Sequence, residues 1–395
     1  MSILVAAVAL CATVLQEARP APPAAAPAPA HRGWPIFRGD AGLSGVAATT
    51  LDAEIELHWT YAAGGPITSS PVLVDGLVYF GSDDQKLHAV EAATGAGRWT
   101  FKTEDFIEAP PFVAAGTVYV GSNDTYFYAV DAATGALRWK QATGDKIIGS
   151  ANSVQLASGL AIVVGSYDAS LYCFDARTGE RRWAYTTDNY VNGAPAIDAG
   201  RAIFGGCDAI LHVVDVTKGE RASAVELGGD CHIAGSIAFL DGRAYFGHYG
   251  NAFVCVDVAK GEVVWSYASQ DQAFFSSPAL TADRVVFGGR DRNLHCVKRD
   301  TGEGLWKFKT RRKVDGSPVI AGDKVVFGSG DGRLYVLALA DGAEVWSQDL
   351  GQPILSSPAV VDGKVYIGAN DGLLYCFGPV RAKPSQAGGE KGDKE

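Results

Sequence analysis

Residues 118–139 read VYVGSNDTYFYAVDAATGALRW, and elements of this stretch recur about every forty residues along the chain. Its last nine residues, DAATGALRW at 131–139, have a near copy in EAATGAGRW at 91–99. Three small or apolar residues followed by Gly occur as VYFG (78–81), VYVG (118–121), IVVG (162–165), AIFG (202–205), AYFG (244–247), VVFG (285–288), VVFG (325–328) and VYIG (365–368). A fixed period of this length indicates a repeat architecture.

Each repeat contains the signals for four short strands. A two-residue turn such as Asp75-Gly76, Ala115-Gly116 or Asp362-Gly363 precedes most copies, and Gly and Asp accept the positive φ angles of tight hairpins. A second apolar run follows, as in YFYAVDA (126–132), and a Gly-containing turn then leads to a Trp in most repeats. This pattern predicts one four-stranded antiparallel sheet per repeat.

The chain is therefore predicted to be an all-β protein, an eight-bladed β-propeller of four-stranded antiparallel blades. The stretch around Trp59 has no complete unit before it, and the last unit, VYIGANDGLLYCFG (365–378), has no Trp strand after it. We expect the N-terminal strand around 55–61 to become the outer strand of the last blade. This pairing closes the ring and removes open sheet edges.

One aromatic residue at a fixed place in the repeat is interpreted as a structural wedge between blades. A buried Trp removes on the order of 150–250 Å² from water, whereas rings on separate radial sheets would lie too far apart to stack on one ligand. The predicted wedges are Trp59, Trp99, Trp139, Trp183, Trp265, Trp306 and Trp346, with Ser223 in the remaining slot.

The six cysteines of the predicted propeller divide into two groups. Four of them occupy a small core slot that other repeats fill with Ala or Val, and a free Cys behaves there as a small apolar residue. These four are Cys173, Cys255, Cys296 and Cys376. Cys207 and Cys231 lie outside this slot, in loops of neighbouring blades, and their spacing leaves open whether they form a disulfide bond.

Composition and the N-terminus limit the classes of partner. The formal net charge is −10, which argues against nucleic acid as a partner. The apolar run at 3–15 is too short for the ~20 residues that cross a bilayer, and it is typical of a signal peptide although no Lys or Arg precedes it. We therefore expect a monomer exported to the periplasm or cell envelope without a transmembrane span, with a cytoplasmic location as the alternative.

The predicted organisation has five parts. They are a signal peptide at 1–18, a Pro/Ala linker at 19–33, an entry segment at 34–53, the propeller at 54–380 and a disordered tail at 381–395.

The repeat in VYVGSNDTYFYAVDAATGALRW closely resembles the pyrroloquinoline-quinone (PQQ) type propeller repeat, and the resemblance covers about residues 54–378. Two groups that share this repeat are relevant. Quinoprotein alcohol and glucose dehydrogenases bind PQQ and Ca²⁺ on the ring axis, whereas non-catalytic propellers include the lipoprotein of the outer-membrane β-barrel assembly machinery. The leader WPIFRGDAGLSG (34–45) is also similar to the entry segment of many exported bacterial propellers.

Departures from the dehydrogenase group bear on function. Those enzymes carry two adjacent Cys beside the quinone and long insertions that build a cofactor chamber, and this chain has no adjacent Cys pair and only short loops. The resemblance therefore implies no catalytic residue, no metal site and no cofactor, with PQQ and Ca²⁺ retained only under the alternative.

A local function is expected where the repeats differ, at the starts of the inner strands and in the polar loops. Alignment on the Ser-Ser-Pro motif (69–71) places charged and polar residues three and five positions before the Pro in several blades. Together with two loop residues, the predicted axial mouth comprises Glu108, Lys146, Asn192, His232, Arg290, Arg292, Lys313 and Asp315. This mixed set is suited to a small polar ligand or a peptide, or else forms a solvated funnel in which the charges pair with one another.

The sequence thus favours a non-catalytic exported propeller that acts as a protein-binding scaffold, with envelope proteins or peptides as partners. The alternative is a PQQ- and Ca²⁺-dependent alcohol or sugar dehydrogenase. In that case Glu108, Asn192 and Asp315 would supply oxygen ligands to Ca²⁺, and Lys146 or Lys313 would face the quinone.

Overall fold

The computed structural model describes residues 33–229, 231–268 and 272–381. The predicted signal peptide, almost all of the linker and all but the first residue of the tail lie outside the described residues. The described part forms 33 β strands in eight sheets, so the prediction of an all-β, eight-bladed propeller is confirmed. These ranges contain no helix with the length and apolar character needed to cross a bilayer.

Each sheet is one blade, numbered 1 to 8 from the inner strand at Val72–Val74. The inner strands are Val72–Val74, Phe112–Ala114, Asn152–Leu156, Ala196–Asp198, Ala238–Leu240, Ala279–Leu280, Val319–Ala321 and Ala359–Val361. The second strands are Leu77–Ser82, Thr117–Gly121, Gly159–Ser166, Arg201–Gly205, Arg243–His248, Arg284–Gly288, Lys324–Gly328 and Lys364–Gly368. The third strands are Lys86–Glu91, Tyr126–Asp131, Ser170–Asp175, Ile210–Asp215, Ala252–Asp257, Asn293–Lys298, Arg333–Ala338 and Leu373–Pro379. The outer strands are Gly97–Lys102, Leu137–Ala142, Arg181–Thr186, Glu220–Glu226, Glu262–Ala268, Gly304–Lys309, Glu344–Asp349 and, for blade 8, Ile55–Ala62.

The burial of the strands follows from their sequences. Thr117–Gly121 is buried at every residue, whereas the outer strand Gly97–Lys102 is exposed at alternate positions beyond its start, because the outer strand has solvent on one side. The first hairpin turns at Asp75 and Gly76, whose φ angles are 51° and 78°. Both values lie in the left-handed region that the two-residue hairpin turn requires.

The ring closes as the sequence predicts. Ile55–Ala62 pairs antiparallel with Leu373–Pro379 in blade 8, and Trp59 lies opposite Cys376. A second link crosses the same junction, because the backbone N–H of Ser357 donates a hydrogen bond to Oγ of Ser70 in blade 1 at 2.9 Å. The two ends of the repeat array are therefore joined within one sheet and across the inner strands.

A Gly at or one residue before the end of each second strand allows neighbouring blades to approach closely. A Cβ added to Gly121 would lie 2.1 Å from Cγ2 of Ile147, which is fully buried at the start of blade 3. The same contact occurs eight times, between Gly81 and Ile107, Gly121 and Ile147, Gly165 and Val191, Gly205 and Ile233, Gly247 and Phe274, Gly288 and Val314, Gly328 and Ile354, and Gly368 and Ile67. Any larger side chain at these positions would push two blades apart.

We expect Gly121→Ala to lower the free energy of unfolding by about 1–3 kcal/mol, because the added methyl overpacks the contact with Ile147. The measurement is urea unfolding followed by Trp fluorescence. Gly304→Ala is the matched control, since a Cβ there meets only Tyr267, at 3.8 Å. Equal losses in the two variants would contradict the packing role of Gly121.

The repeated Trp residues lie between blades. The indole Nε1 of Trp139 donates a hydrogen bond to the carbonyl oxygen of Ala176 in blade 3 at 3.0 Å, and its ring covers Gly179 in the same turn. Equivalent bonds to the next blade are made by Trp59, Trp99, Trp183, Trp265 and Trp306. Trp346 packs edge-on against Phe377 of blade 8, with ring centroids 5.4 Å apart.

Trp139→Ala is expected to lower the free energy of unfolding by about 3–5 kcal/mol, because it removes this interblade contact and leaves a cavity. Chemical unfolding monitored by circular dichroism measures the loss. Leu137 lies on the same strand and is 47% exposed, so Leu137→Ala should change stability by less than about 0.5 kcal/mol. A Trp139→Ala loss as small as that of the control would exclude the wedge interpretation.

The entry segment is bound to all eight blades, which its sequence did not indicate. It begins beside Trp34, whose backbone exchanges hydrogen bonds with Leu73. The further contacts join Pro35 to Val113, Ala41 to Asn152 and Ile197, Gly42 to Phe239, Ser44 to Leu280, Gly45 to Ile320, and Thr49 to Gly363. Val46–Ala47 also adds a parallel fifth strand to blade 7, so that blade departs from the predicted four strands.

Arg38 anchors the entry segment by burying a guanidinium group. The side chain is 1% exposed, and Nη2 donates hydrogen bonds to the carbonyl oxygens of Pro278 at 2.9 Å and Pro318 at 2.5 Å. Burial lowers the pKa of Arg38 to about 9, so the group is charged at neutral pH. The bonds tie the entry segment to the ends of the inner strands of blades 6 and 7.

Candidate functional site

Loops on one face of the ring, called the mouth here, are held by a backbone hydrogen bond that recurs in every blade. In each blade, the loop residue two positions after the repeated Gly of the second strand donates its backbone N–H to a carbonyl oxygen. That carbonyl belongs to the residue five positions before the Pro of the Ser-Ser-Pro motif, or before the equivalent position in the other blades. The eight pairs are Asp83 and Pro66, Asn123 and Phe106, Tyr167 and Lys146, Cys207 and Tyr190, Tyr249 and His232, Arg290 and Ala273, Gly330 and Lys313, and Asn370 and Pro353. Their side chains vary while their backbones are held in the same way.

An axial cavity of about 260 Å³ opens within the mouth. Seven of the eight residues three positions before the aligned Pro line it: Glu108, Ile148, Asn192, Ala234, Phe275, Asp315 and Leu355. The rest of the lining comprises Phe37 of the entry segment, Ser70, Pro110, Gly149, Ser150, Gly193, Gly235, Ser236, Ser277, Ser317 and Ser357. The sequence alignment thus located the axial positions, whereas Phe37 came from a segment that was not considered for the site.

The predicted mouth residues do not form one cluster. Asp315 accepts hydrogen bonds from Nε of Arg290 at 3.1 Å and lies 2.5 Å from Nζ of Lys313. Glu108 instead accepts a hydrogen bond from Asn123 at 3.1 Å, and His232 is held by the carbonyl oxygen of Cys207. The charges are therefore divided among separate sectors of the mouth.

Blades 1 and 2 form the acidic sector, which comprises Asp83, Asp84, Glu104, Asp105 and Glu108. Burial, with further contributions from the nearby negative charges of Glu108 and Asp84, raises the pKa of Asp83. The five carboxyl groups make this part of the mouth acidic.

Blades 3 to 6 form the aromatic sector, which comprises Tyr167, Tyr190, Tyr249 and Phe275. Tyr190 is 46% exposed and stacks on Tyr167 with ring centroids 4.9 Å apart. Tyr249 is 47% exposed and lies 4.5 Å from Phe275 between ring centroids. Two exposed aromatic side chains are thus supported from below by other rings.

The cations of the mouth extend this sector at both ends. Nζ of Lys146 lies 4.8 Å from the centre of the Tyr167 ring, and the guanidinium of Arg290 lies 3.8 Å from the centre of the Phe275 ring. Cation–π contacts of this kind fix the position of the ring and of the cation together. Arg292 is exposed and makes no such contact within the described part of the chain.

Blades 6 and 7 form the basic sector, which comprises Arg290, Arg292, Arg311, Arg312 and Lys313. These residues line a cavity of about 520 Å³ together with Gly330, Pro353, Leu355 and Asn370. Sequence reasoning missed Arg311 and Arg312, although the run RRK at 311–313 in an acidic chain was a signal for them. It considered the positions of Tyr190 and Phe275 in the alignment but did not select them.

A Tyr–His–Asp series of contacts between the outer strand of blade 8 and blade 1 resembles catalytic machinery but supports the loop of blade 1. Nε2 of His88 lies 3.1 Å from Oδ1 of Asp84, and Nδ1 lies 3.1 Å from the Tyr61 hydroxyl. The same chain recurs as Tyr185–His212–Asp208 and Tyr267–His295–Asp291. In blades 2 and 7 the His position holds a Tyr that bonds directly to Asp and packs on a Phe, as Phe101–Tyr128–Asp124 and Phe308–Tyr335–Asp331. Because the chain occurs in several blades and the His residues are buried, it is a structural device.

The His88 chain predicts a pH dependence of stability. Burial lowers the pKa of His88 in the folded protein despite its hydrogen bond to Asp84. The unfolded chain therefore binds a proton near pH ~6.5 before the folded one does. The free energy of unfolding should accordingly fall as the pH drops from about 7 to 5.

The double variant Tyr61→Phe with His88→Tyr copies the arrangement of blade 2 and removes this titration. Urea unfolding at a series of pH values should show a shallower fall than in the parent protein. His248, whose pKa is also lowered by burial, accounts for a part of the slope that persists. An unchanged slope would show that His88 is not a source of the pH dependence.

The cysteines lie in two kinds of environment, in loops of the mouth and in the cores of the blades. Cys207 and Cys231 are not joined by a disulfide bond in the described residues. Nδ2 of Asn192 donates to Sγ of Cys207 at 3.0 Å, and Sγ of Cys231 lies 4.0 Å from Nε2 of His248. The four Cys of the core slot are all buried, and each lies opposite a Trp on the outer strand of its blade.

The described residues include no group of three or more His, Cys, Asp or Glu side chains arranged to hold a metal ion. The charged groups that line the axial cavity are Glu108 and Asp315, which belong to blades 2 and 7.

Comparison with known proteins identifies the family. The family model for outer membrane protein assembly factor BamB matches residues 47–158, 128–222, 207–295 and 290–378. The chain belongs to this family. The matches span nearly the whole propeller, so the resemblance drawn from the repeat is confirmed.

Solved structures share the fold of this BamB-family chain at low sequence identity. BamB from Moraxella catarrhalis is 20% identical, with a TM-score of 0.70, over 84% of this chain and 99% of that one. The computationally designed Ika8 protein is 18% identical, with a TM-score of 0.72, over 82% and 100%. Quinohemoprotein alcohol dehydrogenase from Comamonas testosteroni is 15% identical, with a TM-score of 0.74, over 90% and 82%. No curated protein is a significant match to the sequence.

Proposed function

We propose that this protein is a non-catalytic, exported propeller that binds protein or peptide partners of the cell envelope through its mouth. Membership in the BamB family supports a scaffold role, and the apolar run at 3–15 supports export. The observation that carries the proposal is the aromatic sector, with Tyr190 and Tyr249 exposed on the mouth.

Exposed aromatic side chains are suited to protein recognition because they bury much area with little loss of side-chain entropy. Tyr is among the residues that most often dominate binding energy at interfaces. Here Tyr190 rests on Tyr167 and Tyr249 on Phe275, so both are held before a partner arrives. A preorganised surface of this kind loses little free energy to ordering on binding.

The ring supplies a rigid base for that surface. Each mouth loop is tied by a backbone hydrogen bond of 2.9–3.3 Å to the connection before its inner strand, and Phe37 lines the inner part of the axial cavity. Partner recognition is therefore assigned to loop side chains on one face and not to a change of fold.

The dehydrogenase alternative finds little support in the axial cavity. A bound quinone carrying carboxylates needs facing cations, but the charged side chains that line the cavity are Glu108 and Asp315. The cavity volume of about 260 Å³ also lies below the range of roughly 300–1,000 Å³ usual for small-molecule sites. Lys313, a candidate to face the quinone, is paired with Asp315. The lining of the axial cavity therefore lacks the cations that this cofactor needs.

The test is to apply an envelope extract to the immobilised full chain and to measure which proteins are retained. A cytosolic extract serves for comparison. Replacing the exposed rings, Tyr190→Ser with Tyr249→Ser, should reduce retention of envelope partners at least about tenfold, since each ring is a candidate anchor worth ~1–2 kcal/mol or more. The matched control is Val263→Ser with Leu305→Ser, which removes two exposed apolar side chains from outer strands.

Two results would overturn the proposal. One is the absence of any envelope protein retained at micromolar concentration, and the other is an equal loss in the control variant. Saturable dye reduction by the full chain with PQQ, Ca²⁺ and simple alcohols or aldoses would favour the dehydrogenase alternative instead.

A further inference from the structure

The basic sector concentrates positive charge in an acidic protein. The chain has a formal net charge of −10, yet five cationic side chains line the cavity of about 520 Å³ between blades 6, 7 and 8. Like charges brought together repel one another and lower stability unless a counter-charge is present. A cluster of this kind therefore points to an anionic partner for the site.

The charges in this sector are only partly neutralised by the protein. Asp315 pairs with Arg290 and Lys313, at 3.1 Å and 2.5 Å. The guanidinium groups of Arg292, Arg311 and Arg312 make no hydrogen bond or ion pair with the described residues, and all three side chains are exposed. Asp331 also lies beside this sector, but its carboxylate accepts hydrogen bonds from the backbone N–H of Arg311 and from the Tyr335 hydroxyl. Three guanidinium groups are thus available to a ligand.

We propose that the basic sector binds an acidic segment of the partner protein, with Arg311 and Arg312 pairing with its carboxylates. This inference rests on the proposed function and names the chemistry of the partner. A guanidinium presents two N–H donors in the geometry of a carboxylate, so each Arg holds one Asp or Glu through a bidentate contact. Pro353 and Leu355 form an apolar part of the same lining, which accommodates the stems of those side chains.

The neighbouring sector extends the site for a peptide. Phe275 and Leu355 line the axial cavity, and Leu355 lines the basic cavity as well. Arg290 covers Phe275, which contacts Tyr249. An extended segment with acidic residues followed by an aromatic or apolar residue would occupy the basic sector and reach the aromatic one.

The distribution of charge favours a peptide over an anionic membrane. Blade 2, with Glu104, Asp105 and Glu108, is four positions from blade 6 in a ring of eight blades. A flat anionic bilayer covering the mouth would bring its charge against this acidic sector as well as the basic one. A narrow peptide contacts the basic sector and avoids the acidic one.

The experiment measures fluorescence anisotropy of a fluorescein-labelled heptapeptide, glycine, two glutamates, phenylalanine, two glutamates and glycine, on titration with the full chain. Arg311→Glu with Arg312→Glu should raise the Kd at least about tenfold, because two attractive contacts become repulsive. Raising the salt from ~0.05 to ~0.2 M should weaken binding to the parent protein. The same peptide with lysine in place of glutamate should not bind.

The matched control is Arg177→Glu with Arg181→Glu. It makes the same change in net charge at two exposed arginines of blade 3 whose side chains form no hydrogen bond or ion pair with any residue that the structure describes, and it should leave the Kd within about twofold. Circular dichroism verifies that both variants are folded. An equal loss of affinity in the two variants would show that the effect comes from the change in net charge alone, and this result would overturn the proposal.

Further measurements distinguish an acidic peptide from other negatively charged ligands. Displacement of the peptide by millimolar inorganic phosphate, but not by chloride at equal ionic strength, would assign the sector to free phosphate and overturn the proposal. Binding to phosphatidylglycerol vesicles that depends on Arg311 and Arg312, without peptide binding, would assign it to a membrane. If envelope partners are retained equally by the Arg311→Glu, Arg312→Glu variant, the inference fails and the proposed function stands. If the peptide binds but no partner is retained, the proposed function fails instead.

Discussion

The contact between a Gly at the end of one second strand and a buried apolar residue of the next blade is the constraint on which the rest of the structure depends. Gly368 and Ile67 make the last of these eight contacts, across the junction between blades 8 and 1. Because every blade buries this face only against its neighbour, an open array would leave one face exposed to water. The antiparallel pairing of Ile55–Ala62 with Leu373–Pro379 meets that need, because its backbone hydrogen bonds join the start of the repeat array to blade 8.

Most of the residues that the repeats share make contacts that hold this frame together. Six of the seven repeated Trp residues donate a hydrogen bond to the next blade, and the Cys, Ala or Val opposite them fill the space beneath. The Asp of the polar loop holds a His or Tyr of the third strand. Side chains committed in this way are not available to a ligand. The recognition surface is left to positions whose backbones are fixed but whose side chains differ from blade to blade.

The entry segment makes the two faces of the ring unequal. Its hydrogen bonds to the inner strands and the buried Arg38 hold it against the axis, and Phe37 reaches the axial cavity. The central opening is thereby reduced to a small cavity at the mouth. A shallow cavity beside exposed rings and unpaired guanidinium groups is suited to a chain that lies across the surface, whereas a deeply enclosed cofactor requires a larger chamber. The likeness to a quinohemoprotein alcohol dehydrogenase therefore concerns the fold.

The sequence by itself determined the number of blades, the order of strands, the closing strand and the axial positions such as Glu108 and Asn192, because these follow from a local pattern repeated at a constant spacing. Only the tertiary structure decided which of those residues meet. Asp315 pairs with Arg290 and Lys313, Tyr249 lies on Phe275, and Arg311 joins Arg292 around one cavity. The contacts of the entry segment likewise could not be predicted from the sequence, because the segment has no counterpart in the repeat. Its contacts with all eight blades exist only after the ring has closed. Contacts between blades depend on the curvature of the ring, and that curvature is set by packing between residues that are distant in the chain.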